Sequence, residues 1–397
     1  MNRRTFLGTA GAAASLLSAQ QRGLPYDLLI RNGELRDPSQ NLKRTADIAI
    51  LGDKIAAIEA RIDPNQAAQT IDAKGLMVTP GLVDLHTHCY HSATGLGIDP
   101  DPIAARSGVT TWVDAGSFAS DQSVGFRRFI VQPAQCRVFG FVYLYPSDRN
   151  PDNDVLKYVR RGLDATGKAV EANRDIILGV KLQVGSNMNG KYSFEFLKMA
   201  REVCDKYQCP LMAHISFAPP ETTPVMELMK KGDIVTHAYN GHTLGIVNAN
   251  GKLKPGVKEA RERGVWFDLG HGLGSFNFPA ARKALDAGFV VDTISTDIYS
   301  LNINGPVYDM PTTMSKMLHL GMSVDDVLLR STANPGKIIN RIDGLGQIKV
   351  GGPADLALLE LEQGEFRLID SQKNVVTAKQ RFISRATIAK GRRLRIV

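Results

Sequence analysis

His86 and His88 close the apolar run Thr79-Pro80-Gly81-Leu82-Val83-Asp84-Leu85-His86-Thr87-His88. Side chains along a strand alternate faces, so two residues apart in register project the same way and can reach one metal ion. Four more isolated polar residues end apolar runs further along: Lys181 in Leu178-Gly179-Val180-Lys181, His214 in Leu211-Met212-Ala213-His214, His237 in Ile234-Val235-Thr236-His237, and Asp297 in Ile294-Ser295-Thr296-Asp297. Five strands would thus deliver six metal-binding groups. Imidazole and carboxylate donors favour zinc, with manganese or iron as alternatives.

The elements that must position these groups follow an alternating pattern. Apolar runs expected as strands lie at Leu82 to His88, Val109 to Ala115, Arg137 to Leu144, Ile177 to Val184, Pro210 to Ile215, Asp233 to Tyr239, Val265 to Leu269 and Thr293 to Asp297. Amphipathic stretches such as Phe194 to Tyr207 and Ala280 to Ala287 separate them. That alternation is the pattern of a parallel α/β architecture, and residues 80–344 are expected to form a (β/α)₈ TIM barrel. Its catalytic groups sit at the C-terminal ends of strands, where all six candidates fall. A doubly wound open sheet is the alternative, but it would not bring these strand ends around one centre.

Short strand-like segments flank this region. On the N-terminal side they are Asp27 to Arg31, Ala46 to Leu51, Lys54 to Ile58 and Leu76 to Thr79, with Gly52-Asp53 as a hairpin signal. On the C-terminal side they are Ala354 to Glu360, Phe366 to Ile369 and Arg381 to Ala389. Neither group buries a core alone, so residues 26–79 and 345–397 are expected to form one small discontinuous β domain.

The first 25 residues read as a signal and linker. Arg3 and Arg4 precede a Gly- and Ala-rich stretch from Gly8 to Ala19, and no acidic residue occurs before Asp27. The pattern resembles a twin-arginine signal, which implies the twin-arginine export machinery as a partner and a periplasmic location. Cleavage is expected near Ala19, although Leu17 is a poor residue at the minus-three position. The apolar stretch is too short for a permanent span, which needs about 20 residues.

The net charge of +8 draws on Arg3 and Arg4 and on the tail residues Lys390, Arg392, Arg393 and Arg395. It does not form one broad basic face interleaved with aromatics, which argues against nucleic-acid binding. Cys89, Cys136, Cys204 and Cys209 are too few for a disulfide scaffold in a chain of 397 residues. Cys204 and Cys209 could bridge if oxidised, while strand alternation turns Cys89 away from the metal side.

The order His-x-His, Lys, His, His, Asp resembles the binuclear metal-dependent amidohydrolase superfamily. So do the words Pro-Gly-Leu-Val-Asp-Leu-His-Thr-His (80–88), Thr-His-Ala-Tyr-Asn-Gly (236–241), Ser-Thr-Asp (295–297) and Gly-Gly-Pro-Ala-Asp (351–355). The resemblance is strongest to the deacetylase branch, related to dihydroorotases and D-aminoacylases. It implies two divalent ions, with His86, His88 and Asp297 on the buried one and His214 and His237 on the exposed one. It also implies that Lys181 is carboxylated on Nζ, an N6-carboxylysine bridging both. An unmodified ammonium there would be repelled by the cations; the alternative is a lysine that snorkels out or pairs with an acid.

Two such ions about 3.5 to 4 Å apart can share a hydroxide that attacks a carbonyl. Asp297 is the expected catalytic residue, shuttling a proton from that oxygen to the leaving group. The implied reaction is hydrolysis of an amide or ester in a small acylated amino or hydroxy acid. Tyr239, Asn240 and His271 are candidates for substrate contact, and His242 a weaker one. The branch would place a carboxylate-gripping arginine soon after the bridging lysine, but Lys181-Leu182-Gln183-Val184-Gly185-Ser186-Asn187-Met188-Asn189 holds none. Ring opening of a cyclic amide, as in dihydroorotases and hydantoinases, is the alternative activity. A catalytically silent binding barrel is a third reading, though such relatives usually lose ligands. A homo-oligomer is compatible with the family.

Overall fold

The computed structural model describes residues 23–144 and 154–395. The expected twin-arginine-type signal and its expected cleavage position near Ala19 lie outside the described residues. Among those described, no helix is long and apolar enough to cross a membrane.

Two sheets organise the chain. The first has eight strands: β1 (Tyr26–Asp37), β2 (Leu42–Leu51), β3 (Lys54–Glu59), β4 (Ala67–Asp72) and β5 (Met77–Pro80) from the N-terminal side, and β13 (Leu356–Ile369), β14 (Val375–Ala389) and β15 (Arg392–Arg393) from the C-terminal side. β2 and β3 pair antiparallel across Gly52-Asp53, as the hairpin signal required. The two ends of the chain meet where β13 pairs antiparallel with β5, Leu358 opposite Val78. Ile30, Ile48, Ile50 and Val78 bury against Leu356, Leu358 and Ile388, a core neither end could close alone.

β5 hands the chain to the second sheet with one intervening residue, Gly81. The second sheet is parallel and runs in sequence order: β6 (Leu82–Thr87), β7 (Val109–Ala115), β8 (Arg137–Tyr143), β9 (Ile177–Val184), β10 (Leu211–Ile215), β11 (Ile234–Thr236) and β12 (Trp266–Asp268). Helices such as Val155–Ala172, Ser193–Tyr207 and Phe278–Asp286 pack between strands. Met212 and Ile234, two residues before His214 and Thr236, join a buried cluster with Val113, Phe141, Ile339 and Leu345.

The eighth expected strand, Thr293 to Asp297, is not a regular strand. It nevertheless bridges both edges of the sheet: Thr293 pairs with Asp268 of β12, and Ile298 pairs with Thr87 of β6. The amides of Leu269, His271 and Gly272 donate to the carbonyls of Thr293, Ser295 and Thr296, while Asp297 N donates to the carbonyl of His86. The sheet therefore curls round onto itself through an irregular segment. The irregularity has a local cause, since Asp297 sits at φ 48° in the left-handed region. His237 does the same at φ 69°, which ends β11 at Thr236 rather than at Tyr239.

Candidate metal and catalytic site

All six residues picked from the sequence gather at the C-terminal ends of these strands. Ligand atoms of His86, His237 and Asp297 lie within 4.8 Å of one another, and all three residues are buried. Lys181 Nζ stands 2.9 Å from His86 Nε2, and His88 Nε2 stands 3.2 Å from Asp297 Oδ1. The rings of His214 and His237 meet edge to face, centroids 4.1 Å apart.

Three of the four imidazoles, those of His86, His88 and His237, are held by their outer nitrogen, which fixes where the inner one points. His237 Nδ1 donates to the Gly270 carbonyl at 2.6 Å, leaving Nε2 as the lone pair. His86 Nδ1 meets Thr236 Oγ1 at 2.8 Å, and that hydroxyl donates onward to Asp268 Oδ2 at 2.7 Å. His88 Nδ1 lies 2.8 Å from Ser117 Oγ.

The closing segment is fastened by buried acids. Asp84 accepts from Thr296 N at 2.9 Å and Thr296 Oγ1 at 2.6 Å, while Asp268 accepts from Thr293 and Ser295 hydroxyls at 2.6 and 2.7 Å. Burial pushes the Asp84 carboxyl up to about 7, against the Thr296 bonds that favour its anion.

Of the ten buried side-chain atoms without a hydrogen-bond partner among the described residues, three lie here: His214 Nε2, His237 Nε2 and Asp297 Oδ1. Buried lone pairs are costly to leave unmet. Burial holds His86 and His214 well below the usual imidazole range, with the Lys181 amine adding to the effect on His86 and the His237 ring on His214. His237 is lowered to about 4 by burial, partly opposed by Asp297. Neutral imidazoles converging on a carboxylate fit a divalent cation and suit little else.

Lys181 is itself 2% exposed, and burial lowers its amine to about 8, against the pull of Asp297, Asp268 and Asp114. Its stem passes Gly116, which has φ 90°, and a Cβ at that glycine would come within 2.8 Å of Lys181 Cγ. Lys181 thus stays inside, and the snorkelling alternative is not what the fold does.

The three substrate-contact candidates go elsewhere. Tyr239 Oη donates to the Phe289 carbonyl and accepts from Val291 N, so its hydroxyl is spent on the backbone. Asn240 braces its own loop, donating to the carbonyls of Ile215 and His237 and accepting from His242 N. His271 is fully buried, Nδ1 toward the Gly272 carbonyl and Nε2 accepting from Lys316 Nζ at 2.7 Å. None of the three lines the cavity over the site, whereas His242, the weaker candidate, does. The four cysteines are free and buried, so Cys204 and Cys209 are unbridged.

That cavity has a volume of about 670 Å³, within the range of small-molecule sites. Its floor is His86, His88, Lys181, His214 and Asp297, and its walls carry Ser117, Tyr143, Gln183, Asn187 and Ser216. Sequence reasoning missed Thr236, Asp268, Asp84 and Ser117, which hold the floor in place. Only Thr236 carried a hint, as the neighbour of His237.

Known proteins are similar to this chain in sequence and fold. The chain is 33% identical over 372 residues to a deacetylase of Enterococcus faecalis, covering 93% of this chain and 99% of that protein. It is 32% identical over 350 residues to a deacetylase of Agrobacterium fabrum, covering 87% and 85%. A crystal structure of an adenine deaminase superposes with a TM-score of 0.84 at 34% identity, over 93% of this chain and 99% of that one. A dihydroorotase crystal structure follows at 0.82 and 30%, over 92% and 97%. With a family match spanning residues 77–394, from β5 through the histidine-bearing strands and back to β15, the chain belongs to the amidohydrolase family.

Proposed function

We propose that this amidohydrolase is a metal-dependent deacetylase or acylase that cleaves an amide or ester bond in a small acylated compound, acylated amino and hydroxy acids being the first candidates. The observation that carries the reading is the convergence of His86, His88, Lys181, His214, His237 and Asp297 at one set of strand ends, five of them on the cavity floor and His237 buried beside them, with His214 Nε2, His237 Nε2 and Asp297 Oδ1 lacking a hydrogen-bond partner. The relatives named as deacetylases support the same class. The reading includes residues 80–344 as a (β/α)₈ barrel closed by the 293–298 segment, and residues 26–79 and 345–397 as a composite β domain.

His86, His88 and Asp297 would hold one ion, His214 and His237 the other, with Lys181 as a carbamate between them and zinc as the metal. Bound there, the ions would supply Lewis acidity and a lowered water pKa. Asp297 takes the proton of the attacking water as its oxygen bonds to the acyl carbon. The acyl C–N or C–O bond then breaks, and Asp297 returns the proton to the departing amine or alkoxide. His237, held neutral with Nδ1 on Gly270, keeps its lone pair toward the floor throughout.

Asp297→Asn keeps the shape and removes the proton carrier. Turnover should fall by about 10³-fold or more, in line with the loss of a general acid–base group, while bound metal is partly kept. Substantial residual activity would remove Asp297 from that role. The arginine-free stretch after Lys181 leaves cyclic amides as the second reading, and dihydroorotate and hydantoins belong in the same assay.

A further inference from the structure

The mouth of the cavity differs from its floor. Leu96, Met188, Phe217, Leu273 and Leu301 line it and remain between 37% and 65% exposed. They are five of the twelve large hydrophobic side chains exposed anywhere among the described residues. Single exposed apolar residues are ordinary, but a cluster at one opening marks a binding surface. Each comes from a different loop, following β6, β9, β10, β12 and the closing 293–298 segment. Five loops converging with one apolar side chain apiece is not scatter.

Among the described residues, charge is missing from the same surface. Among the described residues lining the cavity there is no arginine, and the one lysine, Lys181, lies on the floor beside His86. The one carboxylate is Asp297, also on the floor. Between floor and mouth lie neutral donors and acceptors: Tyr143 Oη donates to Gln183 Oε1 at 3.1 Å, and Ser216 Oγ donates to Asn187 Oδ1 at 2.6 Å. The mouth is also braced. The Phe217 ring stacks on His242 at 4.1 Å between centroids, and His242 Nε2 donates to the Gly274 carbonyl at 2.8 Å. That ties together the loops after β10, β11 and β12.

We propose that this rim is the specificity surface, and that it selects acylated compounds whose leaving group carries an uncharged apolar body, branched alkyl or ring-sized, seated on Leu96, Met188, Phe217, Leu273 and Leu301. The inference rests on the hydrolase reading above, with the scissile carbonyl at the floor and the leaving group toward the mouth. A carboxylate on the substrate, where present, is not gripped by an ion pair with any described lining residue. Recognition comes from burial of apolar surface, and it is graded by size.

The test uses the full chain loaded with zinc and bicarbonate, assayed on matched series of N-acetyl amides and O-acetyl esters. Within each series the side group grows from methyl to isobutyl to benzyl, and each member is offered as the free acid and as its neutral methylamide. An added buried methylene is worth about fourfold, so kcat/KM should rise at least about tenfold from methyl to isobutyl. The neutral methylamide should match or exceed its acid. Leu273→Asp and Leu301→Asp should each bring the isobutyl-to-methyl ratio to within about threefold while retaining the metal content of the parent.

Turnover that ignores side-group size, a tenfold preference for the acids, or Asp variants that keep the parent ratio would overturn the inference and leave the hydrolase standing. Protein carrying two metal equivalents that turns over no member of either series would overturn the hydrolase reading itself.

Discussion

Six ligand candidates were legible in the sequence because each is a polar residue ending an apolar run, a pattern that strand geometry turns into a shared face. Thr236, Asp268 and Asp84 were not, because a buried hydroxyl or acid in a strand looks the same whether it braces a ligand or simply caps a neighbour. Tyr239, Asn240 and His271 misled for the opposite reason: nearness in sequence to a ligand says nothing about which backbone groups will take up the side chain. At Lys181, burial lowers the amine to about 8, toward the neutral form that the proposed carbamate requires. Lys181→Ala should lose bound metal and activity, with partial rescue of both by a short carboxylic acid; full metal retention would end its bridging role. Lys316 offers a test away from the floor. It is fully buried between His271 and the Pro306 carbonyl, and burial lowers it to about 7 against an ordinary value of 10.5. Between those two values the unfolded chain holds a proton that the folded chain lacks, so this group's contribution makes stability rise with pH from about 7 to 10.5. Denaturant unfolding across that window should show a shallower rise in Lys316→Met than in the parent, and an unchanged slope would contradict the neutral amine.

Strand positions were read to within a residue or two for β6 through β10, where apolar runs are long and bounded by Gly, Pro or a helix. The eighth strand was read as regular and is not, because Asp297 must turn its carboxylate inward through a left-handed backbone that no strand accommodates. β4 was missed, since Ala67–Asp72 carries no continuous apolar face: it pairs with β1 and packs Ala67 and Ile71 against two separate clusters. The two fragments around Gly364 proved to be one 14-residue strand, β13, because the bulge between Gln363 and Phe366 lets the ribbon pass that glycine. The tip of the β13–β14 ribbon reaches the site. Ser371 Oγ donates to the Gly272 carbonyl at 2.9 Å and accepts from Phe276 N at 3.2 Å, while Asp370 Oδ2 accepts from Phe278 N. This fastens the loop whose Gly272 abuts Asp297, where a Cβ would come within 2.3 Å of Oδ2. Ser371→Ala removes bonds worth about 1 kcal/mol, so kcat/KM should fall about fivefold with metal content unchanged. A change below twofold would show that the ribbon tip is not needed to hold the loop.

Across the whole molecule, the sheet built from both ends of the chain and the curled parallel sheet meet at two places that matter for the floor. β5 passes directly into β6, Gly81 N donating to the Asp355 carbonyl at 2.8 Å, so the His86 strand starts from the composite sheet. The β13–β14 ribbon secures the opposite side, beside Asp297. The pairing of the termini was legible because neither end had strands enough to bury a core. The contact of the ribbon with the site loop was not, because it joins Ser371 to Gly272 and Phe276 across about a hundred residues with no pattern to announce it. The proposed two-metal hydrolytic centre ties metal binding and turnover to the same gathered side chains. It is tested most directly by metal content per chain in protein purified with zinc and bicarbonate, read together with turnover on the acylated series. Close to two equivalents of metal are expected, falling in step with activity on chelation and returning with it. Metal at background level after loading, with every substrate untouched, would contradict it.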